Sequence, residues 1–487
     1  MNIKQKSLKI NAILNILKTL TSLLFPLVTF PYASRILMPE GLGKVNFAIS
    51  IVSYFGIIAT LGIENYGIRE ASKVRDDKTR LSQFSKEIFT INMISTLIAY
   101  VLLGIAIVAV PKFSDYRILL IVTSSTILFT TLGMNWLFTA VEDFLFITLR
   151  FIVFHLISLV MLFVFVKTKE DYVKYAAISV FSNVGANVLN FFYSRKFISL
   201  KTGLKMELKK HLKPIFILFA MAVTVQVYSV LDSSMLGFIK GDWAVGIYAT
   251  ASKFNRMVLY LVQAFAPVIY PRLSYYSQQE DKTDFYNLAY KGMRFLFMMA
   301  MPCTIGLTIL SPQIISIMCG SEFTAAIWPM WILNPIIFVL ASSSFIGVQI
   351  FMPLNKEKWS LYSSISAAAV NFTLNFLLIP RFGVVGAAFA SIIAETVNLI
   401  IELVLLRKYM KLLPIFKNFI VYTLNSLIMG VGVFFAIKLV HKDWQQIIVG
   451  LAAGVLIYFV LLVLEKDKML KTLLNGVKSK FFKKQNG

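Results

Sequence analysis

The chain has 487 residues, of which 58% are hydrophobic and 15% charged, and a water-soluble protein of this size cannot hide that much apolar side chain. Its net charge of +24 sits mostly in short segments between apolar stretches, the pattern of a multi-pass membrane protein and not of a nucleic-acid binder. Two cysteines, Cys303 and Cys319, and three scattered histidines, His155, His211 and His441, give no metal-ligand spacing and no disulfide framework, and nothing asks for a cofactor.

A spanning helix needs about 20 mainly apolar residues. The sequence predicts an all-α polytopic membrane protein with fourteen of them: 11–36, 42–65, 88–110, 117–139, 148–167, 172–194, 214–239, 244–270, 291–318, 326–351, 359–379, 384–406, 417–438 and 445–464. The first begins behind Lys4, Lys6 and Lys9 and runs past Phe30, so it reads as a retained helix and not as a secretory signal with a short apolar core. Met38-Pro39-Glu40-Gly41 joins the first two helices, and Pro380-Arg381-Phe382-Gly383 joins 359–379 to 384–406; Pro and Gly suit such tight turns. With the N-terminus in the cytoplasm, about 34 of the 48 Lys and Arg lie in cytoplasmic segments and about 10 in outer ones. That bias sets the orientation and places both termini inside. The outer loops are short and hold no paired carboxylates, and Gly41 and Gly43 form a turn, not a phosphate cradle. The chain does not read as an enzyme.

A weak internal repeat points the same way. Gly43 and Ala48 match Gly246 and Ala251 at an offset of 203, and Ala176, Ala177, Asn187 and Lys196 match Ala387, Ala388, Asn398 and Arg407 at an offset of 211. Both offsets span about six helices, and parallel repeats of this kind are a transporter plan. The domain expectation is therefore 1–213 for an N-terminal six-helix bundle with its cytoplasmic linker, 214–410 for a second six-helix bundle, and 411–487 for two further helices and a basic tail.

Several motifs carry a resemblance. Pro39-Glu40-Gly41-Leu42-Gly43-Lys44-Val45-Asn46-Phe47-Ala48 is followed by Leu61-Gly62-Ile63-Glu64-Asn65-Tyr66-Gly67-Ile68-Arg69-Glu70. Further on come Leu231-Asp232-Ser233-Ser234-Met235-Leu236-Gly237, the block from Val245 to Lys253, Asn355 to Lys358, Asn375 to Pro380 and Gly383 to Ala388. In this order the set resembles the polysaccharide flippase family, the Wzx-type O-antigen and repeat-unit translocases, within the exporter superfamily that also holds lipid II flippases and multidrug extruders. The resemblance implies two bundles around a central cavity and alternating access in the bacterial cytoplasmic membrane. It implies a cargo of polyprenyl-pyrophosphate-linked oligosaccharide for surface polysaccharide such as O-antigen or capsule, with membrane lipids as the surroundings and a proton or sodium ion as possible coupling partner. Cation-coupled export of small molecules, or flipping of lipid II, is the alternative.

Charge at membrane depth is costly and usually functional or paired. Lys18, Arg35, Lys253 and Arg256 are the candidate cavity cations for a pyrophosphate; the alternative readings are snorkelling to the interface for Lys18 and anchoring at headgroups for Arg35. Asp232 and Lys253 lie at matched depth on successive helices and read as a charge pair, static or exchanging. Glu395, near the midplane, either carries a coupling proton or makes an inter-helix hydrogen bond. Glu64, Arg69 and Glu70 are candidates for a gate or loop anchor, and Asn183, Asn187, Asn371 and Asn375 read as helix–helix glue.

Overall fold

A computed structural model describes residues 8–199, 206–472 and 474–475. Among them the chain is helical, and it divides into two compact units, Met1–Gly246 and Ile247–Gly487.

The first unit is built from α1 (Leu8–Thr60), α2 (Ile63–Val74), α3 (Lys78–Ala109), α4 (Arg117–Gly133), α5 (Asn135–Ala140), α6 (Phe144–Phe165), α7 (Tyr172–Val180), α8 (Asn187–Tyr193) and α9 (Lys209–Lys240). α1 is two arms that meet at Met38, whose φ of 59° and ψ of 176° break the helix. Pro39 opens the second arm, where its missing N–H costs nothing. That arm ends at Leu61-Gly62, both left-handed, and α2 follows with Tyr66 and Ala71 buried and Glu64 and Arg69 outward. The expected helix 42–65 therefore stops earlier, and a short amphipathic helix takes up its end. Asp77 starts α3 by accepting the N–H groups of Thr79 and Arg80 at 2.9 and 3.1 Å, which satisfies donors orphaned at any helix start.

Two glycines let the arms of this unit close. A Cβ at Gly43 would fall 1.8 Å from the Asp242 carbonyl oxygen, and one at Gly246 would fall 1.9 Å from that of Pro39. Backbone meets backbone at both points, so no side chain can yield.

The second unit continues with α10 (Asp242–Gln263), whose first turn belongs to the first unit, then α11 (Ala266–Ser277), α12 (Thr283–Cys319), α13 (Ile327–Leu333), α14 (Ile336–Ser344), a π-helical turn Phe345–Phe351, α15 (Glu357–Leu406), α16 (Leu413–Lys438) and α17 (Asp443–Leu464). α15 is again two arms, broken at Gly383 with φ 55°. The expected helices 244–270 and 326–351 are each bent, by 46° and 47°, next to Pro267 and at Pro335, as proline in a helix commonly enforces.

Eight helices among the described residues are long and apolar enough to cross a membrane, and ten if each bent pair is one span. Their outward faces suit lipid. On α3, Ile94, Leu97, Ile98, Val101, Ile105 and Val108 are all exposed at helical spacing, a patch no water-facing surface holds.

α16 and α17 pack on each other and on α12. Gly430 meets Ile305, and Gly450 meets Leu310. At one end Ser316 donates to Asp443 at 2.5 Å and Gln313 to Gln446 at 2.8 Å. At the other, Arg294 and Tyr422 both donate to Asp467 Oδ2, at 2.6 and 2.9 Å. Burial opposes ionisation of Asp467, yet the Leu470 N–H, Arg294 and Tyr422 together hold its carboxyl below the usual carboxylate range. An acid with a depressed folded value contributes stability that is complete above its unfolded value of ~4 and fades as pH falls through the folded one. Asp467→Asn is therefore expected to lower the melting temperature at neutral pH, with a loss of about 3 kcal/mol for a buried pair stripped of one charge. The deficit shrinks as the wild type is acidified. Melting curves of both proteins across an acid series check this, and a deficit that grows in acid would contradict it.

Candidate functional site

The first unit contains a cavity of about 420 Å³. Four helices line it, each through one face. The second arm of α1 gives Ile49, Ser53, Gly56 and Thr60; α4 gives Thr123, Thr126 and Thr130; α7 and the turn after it give Ala176, Ser179 and Asn183; α9 gives Ala222 and Gln226. The spacing of three and four residues in each set is what aligns them. Among the described residues none that lines it is charged. Ser53 donates to its own helix at the Ile49 carbonyl, 2.7 Å, and Thr126 to the Thr123 carbonyl at 2.6 Å. Asn183 Nδ2 likewise donates to the Ser179 carbonyl at 2.8 Å. With those hydrogens committed to backbone, the hydroxyl and amide oxygens remain as acceptors. The wall is a neutral, acceptor-rich surface backed by aliphatic side chains, suited to a polyhydroxylated ligand.

The sequence-predicted residues are spread over both units. Arg35 is exposed on the first arm of α1, and Lys18 lies on the same arm with its side chain outside the described residues. Asp232 is half-buried on α9 in the first unit; Lys253, half-buried, and Arg256, exposed, are on α10 in the second. Glu395 is buried, 5% exposed, on the second arm of α15. Arg69 and Glu70 do come together: Arg69 Nε and Lys73 Nζ both reach the Glu70 carboxylate, at 2.9 and 2.8 Å, while Glu64 is exposed. Asn187 joins helices, since its Oδ1 accepts from Arg150 of α6 at 3.0 Å. Asn183 faces the cavity instead.

The fold also places polar groups that the sequence did not single out. Glu87 of α3 is 1% exposed and gathers His211 Nε2 at 2.8 Å, Lys210 Nζ at 3.2 Å and the Glu207 N–H at 2.9 Å. His211 Nδ1 in turn pairs with the Tyr66 hydroxyl at 2.7 Å. Arg150 holds Asn135 at 2.9 Å as well as Asn187. Glu402 of α15, 2% exposed, accepts from Ser343 at 2.7 Å. Among the described residues no group of His, Cys, Asp and Glu has the makings of a metal site.

The family model described as "Polysaccharide biosynthesis protein" matches residues 8–277, more than half of the chain. The chain belongs to the polysaccharide biosynthesis protein family. Curated relatives include the "Putative O-antigen transporter" of Escherichia coli (strain K12), 23% identical over 390 residues that cover 80% of this chain and 94% of that protein. Another is the "Probable low-salt glycan biosynthesis flippase Agl15" of Haloferax volcanii, 26% identical over 47% of this chain and 49% of that protein. Two solved structures share the fold. Lipid II flippase MurJ in an inward closed conformation superposes with a TM-score of 0.76 at 17% identity, covering 94% of this chain and 99% of that one. An inward-facing multidrug resistance MATE family transporter of the MOP superfamily gives 0.60 at 15% identity, over 79% and 93%.

Proposed function

We propose that this chain is a flippase that carries polyprenyl-pyrophosphate-linked oligosaccharide repeat units across the bacterial cytoplasmic membrane by alternating access, for assembly of surface polysaccharide. The observation that carries this reading is the uncharged, hydroxyl- and amide-lined cavity inside a family member whose relatives are named as O-antigen transporter and glycan flippase. Sugar binds such a wall through hydroxyls. A cationic drug would want carboxylates there, and none lines the cavity.

The finer parts of the reading belong to the same proposal. The chain crosses the membrane fourteen times, as two six-helix bundles and two further helices, with both termini cytoplasmic; the breaks at Met38 and Gly383 support counting α1 and α15 as two crossings each. Arg256, Lys253, Arg35 and Lys18 meet the pyrophosphate. Arg suits this because its planar fork binds phosphate oxygens in pairs. Asp232 acts as a charge-pair acid, and Glu395 couples transport to a proton or sodium gradient. Removal of the gene is expected to leave lipid-linked repeat units stranded on the cytoplasmic leaflet and to strip the surface of the polymer. A plasmid copy restores both, and Arg256→Glu restores neither although it is made in normal amount, while Arg256→Lys restores part. Lipid-linked glycans extracted from the deletion strain give the readout. An unchanged lipid-linked pool together with intact surface polysaccharide would contradict the reading.

A further inference from the structure

We propose that Glu402 is a proton-binding site in the interior of the second unit, loaded and unloaded as the helices around it move. Glu402 lies on the second arm of α15 at 2% exposure. Ser343 of α14 donates to its Oε2 at 2.7 Å, and Ser363, on the first arm of α15, to its Oε1 at 3.4 Å. Asn398, one turn earlier on the same face, donates through Nδ2 to the Ser343 hydroxyl at 2.9 Å. The donors thus run in series toward the carboxylate.

Among the described residues, the groups that other helical segments turn toward Glu402 are neutral. α14 presents Ser343, the π-helical turn presents Gly347, and the first arm of α15 presents Ser360 and Ser363. On its own arm, Glu395 stands two turns earlier and is itself an acid, while Arg407, past the helix end, is exposed. Among the described residues no Lys, Arg or His forms an ion pair with Glu402. A carboxylate buried in a membrane helix without a cation is expensive, and a proton removes that charge at once.

Two further observations point to a site that changes occupancy. Asn398, 8% exposed, has its Oδ1 buried without a hydrogen-bond partner, an acceptor left over within the cluster. Gly347 lets the backbone of its turn approach the carboxylate closely, because a Cβ there would lie 2.8 Å from Ser360 Oγ and 3.3 Å from Glu402 Oε1. Gly347 belongs to the π-helical turn Phe345–Phe351, and π-turns inside helices occur frequently at functional sites. A small shift of that turn alters access to the carboxyl. Use of the proton to drive transport rests on the flippase reading; the binding itself does not.

Infrared difference spectra of the purified full chain in lipid nanodiscs, acid minus alkaline, test the binding without any cargo. Part of the protonated-carboxyl band is expected to be missing in Glu402→Gln, and that part is unchanged when sodium is replaced by choline. Ser343→Ala should keep the band and move it to higher frequency, because the carboxyl loses a hydrogen-bond donor. The proposal is overturned if folded Glu402→Gln retains the whole band, or if sodium abolishes it and so marks a metal-cation site. Should Glu402→Gln not fold, Ser343→Ala decides: an unmoved band overturns the proposal.

Discussion

Gly246→Val is expected to leave almost no folded protein in the membrane. The new Cβ would stand 1.9 Å from the Pro39 carbonyl oxygen and 2.7 Å from its carbon, far inside any tolerated contact. Backbone cannot rotate away as a side chain does, so α10 and the second arm of α1 must part. Parting them breaks the reciprocal contact of Gly43 with Asp242. Overpacking usually costs ~1–3 kcal/mol, and a clash of backbone with backbone on a closed pair of helices belongs above that range. Gly43→Val is expected to fail in the same way. Gly104→Ala is the control: it sits in α3 with nothing within 4 Å of its added carbon, and Ala in place of Gly improves an exposed helix by up to ~1 kcal/mol. Detergent-extracted yield and monodispersity of the three variants measure this. Normal yield of Gly246→Val would show that the close approach is not needed.

Glu87→Ala is expected to cost about as much as any single charge removal in the first unit. Four donors converge on this carboxylate: Gln83 of α3 itself, the Glu207 N–H just before α9, and Lys210 and His211 in the first turn of α9. Without the carboxylate, His211 at 4% exposure keeps the Tyr66 hydroxyl but loses its acceptor on Nε2. Breaking a buried charged network by deleting one member typically costs ~3–5 kcal/mol. Glu87→Gln keeps the shape and two acceptor lone pairs on one oxygen, so it should recover part of the loss. Thermal unfolding followed by exposure of a buried thiol separates the three proteins. Equal melting of wild type and Glu87→Ala would remove the network from the account of how α3 and α9 are held together.

Much of the fold is legible because lipid imposes a coarse rule on sequence: every apolar run long enough to cross is a candidate helix, and the turns between runs need Pro or Gly. Met38-Pro39 and Pro380 to Gly383 were readable for that reason, and the structure breaks the chain at Met38 and Gly383. What the rule misses is local geometry. Leu61 takes a left-handed φ of 46°, which no side chain prefers, so the end of that helix and the start of α2 leave no compositional trace. Gly43 and Gly246 stood out as a repeat, yet identity at a fixed offset does not say that the two copies touch. Arg150 falls at the start of the expected helix 148–167, but nothing in that position shows that α6 carries its guanidinium in among Asn135 and Asn187. Glu87 and Glu402 were unremarkable because hydropathy gives depth along a helix and not the direction a side chain faces. The cavity was invisible for the same reason. Its hydroxyls are Ser and Thr spread over three helices, and such residues are common wherever membrane helices pack.

The central claim is that this chain moves a glycan carried on a lipid pyrophosphate. Purified protein in liposomes, given a short-chain polyprenyl-pyrophosphate-linked oligosaccharide in one leaflet, measures it most directly, with a neutral lipid bearing the same sugar and tail as the comparison. The expected result is protein-dependent flipping of the pyrophosphate-linked lipid, lost in Arg256→Glu, with little movement of the neutral one. Equal transport of both lipids, or no transport of either above protein-free liposomes, would contradict it.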